Sequence, residues 1–368
     1  MLGRVRVALL SDCYLPRLGG IEVQVHDLAR SLRAAGHEAV VVTATRGPDD
    51  PIDEVPVERL AIPLPGGVPV NPLAPPKVRR LLLDGGFDVA HVHMGVVSPF
   101  AMDSMRVALD VGIPTVATWH CVLAHAAPLV DAAGYVERWA YRGAELTAVS
   151  QVAAAPLRRM SGGAPVSVLP NGIDTTRWSP EPRPAAPTGP LRVVTAMRLA
   201  LRKRPLDLVK VVARARELAP GADLRLEILG EGPQRRRLEA WSARHGAQGW
   251  LSLPGRVTRD ELHRRYLASD VYVAPAELEA FGIAALEARA SGLPVVGPRR
   301  SGITEFVVDG RDGLLVDDDE QFAQALARLA TDAGLRDRLG AYARSTPVRQ
   351  DWGEVVAQTV QAYGRARA

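Results

Sequence analysis

Short β-branched runs alternate with amphipathic helical stretches along the chain, and they form two successive series. The first series contains the runs "VRVALLS", "EAVVVTAT", "VERLAI", "VAHVH", "PTVATWH", "ELTAVS" and "PVSVLP". The second follows a proline-rich stretch and contains "RVVTAMR", "LRLEILG", "WLSLPG", "VYVAP", "LPVVGP" and "GLLV". This rhythm is typical of parallel sheets covered by helices on both faces. The sequence therefore predicts an α/β fold of two doubly wound, Rossmann-like domains that face each other across a cleft.

The second start of the alternation fixes the predicted domain boundaries. We place an N-terminal domain at residues 1–170, a linker at 171–190 and a C-terminal domain at 191–350. A chain of 368 residues is long enough for two domains that each bury their own core.

Composition excludes several classes of function. The 45 Lys and Arg residues exceed the 41 Asp and Glu residues by only 4 charges, too few for a dedicated nucleic-acid binder. Cys13 and Cys121 fit no metal or redox spacing, which favours a reducing compartment. No apolar run reaches the length of a signal peptide or a membrane span. We expect a cytoplasmic protein that is soluble or docks on the inner face of the membrane.

Ligands of parallel sheets bind beyond the carboxyl ends of the strands, and there this chain places glycines and cations. Gly19 and Gly20 follow the first strand and precede a helix, where glycine lets the main chain approach an anion. An ordinary turn explains the same pair equally well. Arg198 and Lys203 follow the run "VVTAM", where a diphosphate needs positive charge, although a solvated loop is the alternative.

Three histidines lie at the ends of two strands of the first series. His91 and His93 share one face of a strand and His120 ends another, so a three-histidine metal site is possible. We favour separate polar residues that line a cleft, and predict no metal.

Glu279 and Glu287 lie eight positions apart in "PAELEAFGIAALEARASG". Eight residues of helix leave two side chains about 80° apart, which is a poor geometry for a cooperating pair. The two carboxylates are therefore expected to perform different tasks.

These segments together resemble the retaining nucleotide-sugar glycosyltransferases of family 4, which have the GT-B fold. The stretch "EAFGIAALE" matches the E-x7-E signature of that family, and further matching segments occur in the expected order: "PRLGGIEVQVHDLARSL", "HVH", "ATWH", "LPNGID", "RLALRKRP", "ILGEGPQRRRLE", "LPGRVTRDEL" and "SGITEFVVDGRDGLLV". The resemblance covers nearly the whole chain. It implies metal-independent sugar transfer, with retention of configuration, from a UDP-, GDP- or other nucleotide diphosphate sugar to an acceptor hydroxyl.

The resemblance also implies roles for the residues around the signature. Glu279 would hydrogen-bond the hydroxyls of the donor sugar, and Glu287 would bind those of the ribose. Phe281, Gly282 and Ile283 would offer main-chain amides to the diphosphate at a helix N-terminus.

Further roles follow from the other matching segments. Arg198 and Lys203 would neutralise the charge that develops on the leaving diphosphate, which removes the need for a metal. His120 would contact the transferring sugar, although the residues alone equally allow it to act as a base for an inverting attack.

The resemblance implies contacts in three further parts of the chain. Gly19 and Gly20 would approach the phosphates, and Arg256 and Val257 would meet the base through their main chain. A C-terminal helix of about residues 351–368 would pack back on the first domain.

The acceptor side offers a weaker pattern. Lys77, Arg79 and Arg80 lie on a short helix that resembles the membrane-docking segment of phosphatidylinositol mannosyltransferases, and other segments resemble the phosphatidylinositol-modifying GlcNAc transferases. A lipid or other small-molecule acceptor and an anionic membrane surface are therefore candidate partners. Because the apolar residues of this helix have core-facing spacing, a plain amphipathic surface helix is the favoured alternative.

Two other functions fit part of the pattern. A nucleotide-sugar epimerase can share the two-domain architecture, and a non-catalytic nucleotide-sugar binder would keep the contacts to base and phosphate. The presence of Glu279, His120, Arg198 and Lys203 argues against the binder, since these groups would face the sugar and the leaving group.

Overall fold

The computed structural model describes residues 3–17, 19–48, 50–62, 69–123, 131, 133–182 and 189–368. The chain divides into two compact units. The first consists of Met1–Gly172 together with Gln350–Ala368, and the second of Ile173–Arg349.

The first unit contains a parallel sheet with strand order β3-β2-β1-β4-β5-β6-β7. Its strands are β1 (Arg6–Ser11), β2 (Glu38–Thr43), β3 (Val57–Arg59), β4 (Val89–Met94), β5 (Thr115–Trp119), β6 (Glu145–Ala148) and β7 (Val166–Val168). The helices described within its first segment, Met1–Gly172, are α1 (Gly20–Ala34), α2 (Pro75–Asp84), α3 (Pro99–Val111), α4 (Tyr135–Tyr141) and α5 (Gln151–Met160).

The second unit repeats the arrangement with the strand order β10-β9-β8-β11-β12-β13, again parallel. Its strands are β8 (Leu191–Ala196), β9 (Leu224–Leu229), β10 (Leu251–Gly255), β11 (Val271–Val273), β12 (Val295–Pro298) and β13 (Gly313–Val316). Its helices are α6 (Pro205–Leu218), α7 (Arg235–His245), α8 (Arg259–Leu267), α9 (Ile283–Ala290), α10 (Asp319–Thr331) and α11 (Ala333–Ser345).

The predicted strands form because their apolar runs are buried on both faces. All six residues of β4 are buried, as are those of β1 after Arg6, as expected for a sheet covered on both sides by helices. Several helices begin where a side chain accepts a main-chain hydrogen bond. Thr258 accepts from Glu261 at the start of α8. The predicted fold class, two Rossmann-like α/β domains, is confirmed.

The chain returns to the first unit in a final helix, α12 (Trp352–Ala366). This helix contacts α1, β5 and β6. Arg365 donates to Glu145 at 2.8 Å. The side chain of Tyr363 on the same helix is fully buried. None of the described helices is both long enough and apolar enough to cross a membrane.

Part of the segment that we predicted as a linker, residues 171–190, packs on the second unit. Trp178 is 2% exposed, and its ring centroid lies 5.8 Å from that of Tyr266. His263 contacts the Ser179 carbonyl oxygen through its Nε2 at 3.0 Å. Residues 173–182 therefore belong to the second unit, and 183–188 lie outside the described residues.

Candidate active site

The predicted donor-binding residues of the second unit follow three strands of its sheet, at the edge where the carboxyl ends of the strands lie. Arg198 comes after β8, Arg256 and Val257 come after β10, and Glu279 comes after β11. Parallel strands bring their carboxyl ends to the same edge, where ligands of open α/β sheets bind. The sheet thus collects these side chains from segments that are distant in sequence.

Lys203 and Glu279 form an ion pair at this edge. Lys203 ends a single 3-10 turn, Leu201–Lys203, and its Nζ contacts Oε2 of Glu279. The two side chains are 20% and 22% exposed, so both remain open to a ligand. Arg198 is exposed, and its guanidinium makes no ion pair with any residue in the described part of the chain. The edge therefore offers one unpaired cation and one cation balanced by a carboxylate.

The loop that carries Glu279 ends at the N-terminus of α9. Gly282 precedes the helix with a φ of +90°, a left-handed conformation that favours glycine. Gly302 packs so closely on this loop that an added Cβ would lie 2.1 Å from the Ala280 carbonyl oxygen. Phe281 is buried, with its ring centroid 5.5 Å from that of Phe306. These contacts fix the loop at the N-terminus of α9, where the first main-chain amides have no acceptor within the helix, and this is a suitable arrangement for an anion.

Glu287 lies in α9 and is 8% exposed, whereas Glu279 lies in the preceding loop. Both are close to Tyr272 on β11. Burial, together with these two carboxylates, raises the pKa of Tyr272 above its usual value. The two glutamates therefore differ in their surroundings: Glu279 lies in a loop and is partly exposed, whereas Glu287 lies in a helix and is buried.

Gly19 and Gly20 lie at the start of α1 in the first unit. An added Cβ on Gly19 would lie 2.4 Å from Oε2 of Glu22. Glu22 is 5% exposed and forms an ion pair with Nε of Arg17 at 3.2 Å. The space beside Gly19 is thus filled by a carboxylate of the chain itself, a feature that the sequence prediction did not include.

His120 follows β5 in the first unit, and its ring contacts a second histidine. Its Nε2 lies 3.0 Å from Nδ1 of His93, a hydrogen bond between the two rings. Desolvation lowers the pKa of His120 to about 4, although a hydrogen bond between its ring and the Asn171 side chain opposes the shift. A neutral ring of this low basicity is a weak general base. No group of three or more His, Cys, Asp or Glu residues in the described part of the chain is arranged to hold a metal.

His91 belongs to a directional hydrogen-bond chain that reaches α12. Thr147 donates to the Ala117 carbonyl oxygen at 3.0 Å, so its own oxygen accepts from Thr118 at 2.6 Å. Thr118 therefore accepts from Nε2 of His91 at 2.7 Å, which leaves Nδ1 to accept from the Tyr363 hydroxyl at 3.0 Å. Burial lowers the pKa of His91 to about 3, so the ring is neutral. This histidine is occupied by structural contacts.

Comparison with known proteins agrees with the geometry of both units. Residues 18–177 match the model of Glycosyltransferase Family 4, and residues 177–346 match that of Glycosyl transferases group 1. A phosphatidyl-myo-inositol mannosyltransferase of Mycobacterium leprae is 30% identical over 373 residues, which is 98% of this chain and 96% of that protein. The chain belongs to the family 4 glycosyltransferases. The resemblance that the E-x7-E signature predicts is confirmed.

Other similar proteins also align with this glycosyltransferase over nearly the full length of both chains. A GDP-mannose-dependent alpha-mannosyltransferase of Mycobacterium tuberculosis is 28% identical over 99% of this chain and 97% of its own length. The crystal structure of HepE from Anabaena in complex with UDP has a TM-score of 0.76 at 18% identity, and covers 98% of this chain and 99% of that chain. The glycosyltransferase therefore has the GT-B fold.

Proposed function

We propose that this glycosyltransferase moves a sugar from a nucleotide diphosphate sugar to an acceptor hydroxyl, with retention of configuration and without a metal. The observation that carries the proposal is the ion pair of Lys203 and Glu279 at the carboxyl edge of the second sheet. Arg198 follows β8 at the same edge and has no ion-pair partner among the described residues. As the bond between the anomeric carbon and the diphosphate oxygen breaks, negative charge collects on the leaving group. Arg198 and Lys203 supply preorganised positive charge for it.

When the donor binds, contacts with the donor replace the ion pair between Lys203 and Glu279. Lys203 releases Glu279 and contacts the diphosphate, which frees the carboxylate for the sugar hydroxyls. The diphosphate meets the amides of Phe281, Gly282 and Ile283, and Glu287 binds the ribose. Arg256 and Val257 meet the base through their main chain.

The remaining contacts come from the first unit. His120 contacts the sugar as a neutral ring, since its pKa of about 4 leaves it uncharged at neutral pH. Gly19 and Gly20 contact the phosphates, which requires the Glu22 carboxylate to yield the space beside Gly19. The relatives support a first choice of donor and acceptor, namely GDP-mannose and a molecule that carries an inositol phosphate.

The proposal is tested by a thermal-shift screen of nucleotide diphosphate sugars, followed by incubation of the best donor with inositol phosphate or phosphatidylinositol. A ligand that binds only the folded state raises the melting temperature. An acceptor heavier by one sugar supports transfer. An unchanged acceptor with an isomerised donor indicates epimerisation, and binding without any product indicates a non-catalytic binder. The one-bond coupling constant between the new anomeric carbon and its proton tests retention.

The two glutamates should separate in binding experiments. Glu287→Gln should weaken binding of the bare nucleotide diphosphate as well as the intact donor, because a charge-assisted hydrogen bond to ribose is worth about 1.5–3 kcal/mol. Glu279→Gln should leave nucleotide affinity nearly unchanged and lower the transfer rate, because its contact is with the sugar. Calorimetric titration set beside turnover measures both. Equal loss of nucleotide affinity in the two variants would contradict this division.

Chelation should leave transfer unchanged. If Arg198 and Lys203 carry the charge of the leaving group, the protein needs no bound cation for that task. The measurement is the initial rate after saturating EDTA and gel filtration, with and without added Mg²⁺ or Mn²⁺. A rate that falls with EDTA and returns with the metal would contradict metal independence.

The exposed cations of α2 give a test of membrane docking. Lys77, Arg79 and Arg80 are exposed while Val78 and Leu82 of the same helix are buried, so the charged face points away from the core. Replacing the three cations with Ser should weaken binding to phosphatidylserine vesicles by about 1 kcal/mol per charge. Vesicle co-sedimentation measures the change.

A matched variant controls for the loss of net charge. Arg236, Arg237 and Arg244 are exposed on α7 of the second unit, and replacing them with Ser removes the same charge. Equal binding by both triple variants, or no binding by the wild type, would identify α2 as an ordinary surface helix.

A further inference from the structure

Arg204 has an unusual main-chain conformation. Its φ of 52° and ψ of 41° lie in the left-handed region, which residues with a Cβ rarely adopt. Pro205 follows, and a proline normally pushes the residue before it into an extended conformation. Among the described residues, the other non-glycine positions with positive φ are Asp53 and Glu54, both in one exposed turn. A conformation of this kind persists where surrounding contacts hold it.

The Arg204 side chain provides those contacts. Its guanidinium lies between carboxylates of three different segments and is 22% exposed. Nη1 lies 2.8 Å from Oε1 of Glu277 and 3.4 Å from the Pro275 carbonyl oxygen. Nη2 lies 2.7 Å from Oδ2 of Asp319, the first residue of α10, and Nε lies 3.5 Å from Oδ2 of Asp207 in α6.

Two adjacent cations thus join the same two loops. Lys203 pairs with Glu279, and Arg204 pairs with Glu277 two residues earlier in the loop between β11 and α9. In the proposed function the first of these pairs opens when the donor binds. The second pair involves no group assigned to the donor, so it can persist.

We propose that Arg204 is a positioning residue for sugar transfer. It holds the 275–282 loop against the 201–204 turn while Lys203 and Glu279 exchange their ion pair for contacts with the donor. The planar fork of arginine suits this task because it reaches several acceptors at once, whereas glycine would fit the main-chain conformation with no side chain. The inference rests on the proposed function of Lys203 and Glu279.

The position of Arg204 predicts that its replacement lowers the turnover number more than the free energy of unfolding. Partly exposed ion pairs contribute little to the free energy of unfolding. A displacement of reacting groups by about 1 Å, however, costs about 100-fold in rate. If Arg204 keeps these two loops in position, its loss is therefore detected mainly as a lower turnover number.

Arg204→Gly tests the inference, because glycine accepts the left-handed conformation and removes only the side chain. We expect an unchanged fold, and a nucleotide diphosphate affinity within about threefold of wild type, since Glu287 and α9 are untouched. The turnover number should fall by about tenfold or more. The additional affinity that the sugar contributes, measured as intact donor against bare nucleotide diphosphate, should fall as well.

Single changes of the partner carboxylates identify the contact that matters. Glu277→Gln should reproduce much of the loss in turnover, since Glu277 lies in the loop of Glu279. Asp319→Asn, which removes an equivalent ion pair at α10, is the matched control and should have a smaller effect. The double variant Arg204→Gly with Glu277→Gln should be no slower than Arg204→Gly alone, because both changes remove one interaction.

The inference is overturned if Arg204→Gly turns over the donor and binds it as the wild type does. It is equally overturned if stability, nucleotide affinity and turnover decline together, since that pattern indicates a general structural role. A wild-type protein that binds the donor but transfers no sugar contradicts the proposed function alone. The difference in affinity between intact donor and bare nucleotide then still decides whether Arg204 positions the loop of Glu279.

Discussion

Replacing Lys203 with alanine is expected to slow sugar transfer by about 100-fold or more while the protein keeps its fold. In the proposed function, the variant removes one of two cations that stabilise the leaving diphosphate, so that Arg198 alone would supply positive charge to it. The Lys203 side chain is 20% exposed, so its loss leaves no large cavity. The turnover number with saturating donor measures the effect.

Lys210 provides the matched control for this variant. It is one of the three lysines in the chain and lies exposed on α6, a few residues after Lys203. Lys210→Ala removes the same charge and should leave turnover within roughly twofold of wild type, as for most exposed substitutions. Near-normal turnover of the folded Lys203→Ala protein would exclude Lys203 from stabilising the leaving group.

The sequence predicts the sheets and the signature loop well, because both depend on local residue types. Runs such as "VALL" in β1 and "VYVAP" at β11 are continuously apolar, as strands covered on both faces require. The helix after Gly282 is likewise signalled locally, since glycine supplies the left-handed residue that precedes α9. The structure places Glu279 in the loop before this helix and Glu287 within it. Their different tasks stay a prediction.

Contacts between distant segments escape such local patterns. The hydrogen bond between His91 and Tyr363 joins residues 272 positions apart, and no residue type in either segment announces it. Arg204 carries no signal for a left-handed conformation, because an arginine before a proline is expected to be extended. The packing of residues 173–182 on the second unit was hidden by their proline-rich surroundings, although Trp178 is a signal that could have revealed it.

A buried ion pair lies at the C-terminal end of α9. Of the changes considered, breaking this pair should lower the free energy of unfolding most. Arg289 lies in the last turn of α9 and is 2% exposed, and its partner Asp312 is 3% exposed. Nε and Nη2 of Arg289 donate to Oδ2 of Asp312 at 3.0 Å and 2.9 Å. Its Nη1 donates to the Ala343 carbonyl oxygen at 2.7 Å and its Nη2 to that of Thr346 at 3.1 Å. One side chain therefore joins α9 to the segment before β13 and to the end of α11.

Arg289→Met is expected to lower the free energy of unfolding by about 3–5 kcal/mol, because it leaves the Asp312 carboxylate buried without its partner. Arg214→Met is the control: Arg214 is 47% exposed and pairs with Glu320, so its loss should lower the free energy of unfolding far less than that of Arg289. Denaturant unfolding followed by tryptophan fluorescence measures both variants. Equal midpoints would show that the buried pair stabilises α9 no more than a surface pair does. A large loss for Arg289→Met that is partly restored by Asp312→Leu would identify the stranded carboxylate as its cause, because the double variant buries no unpaired charge.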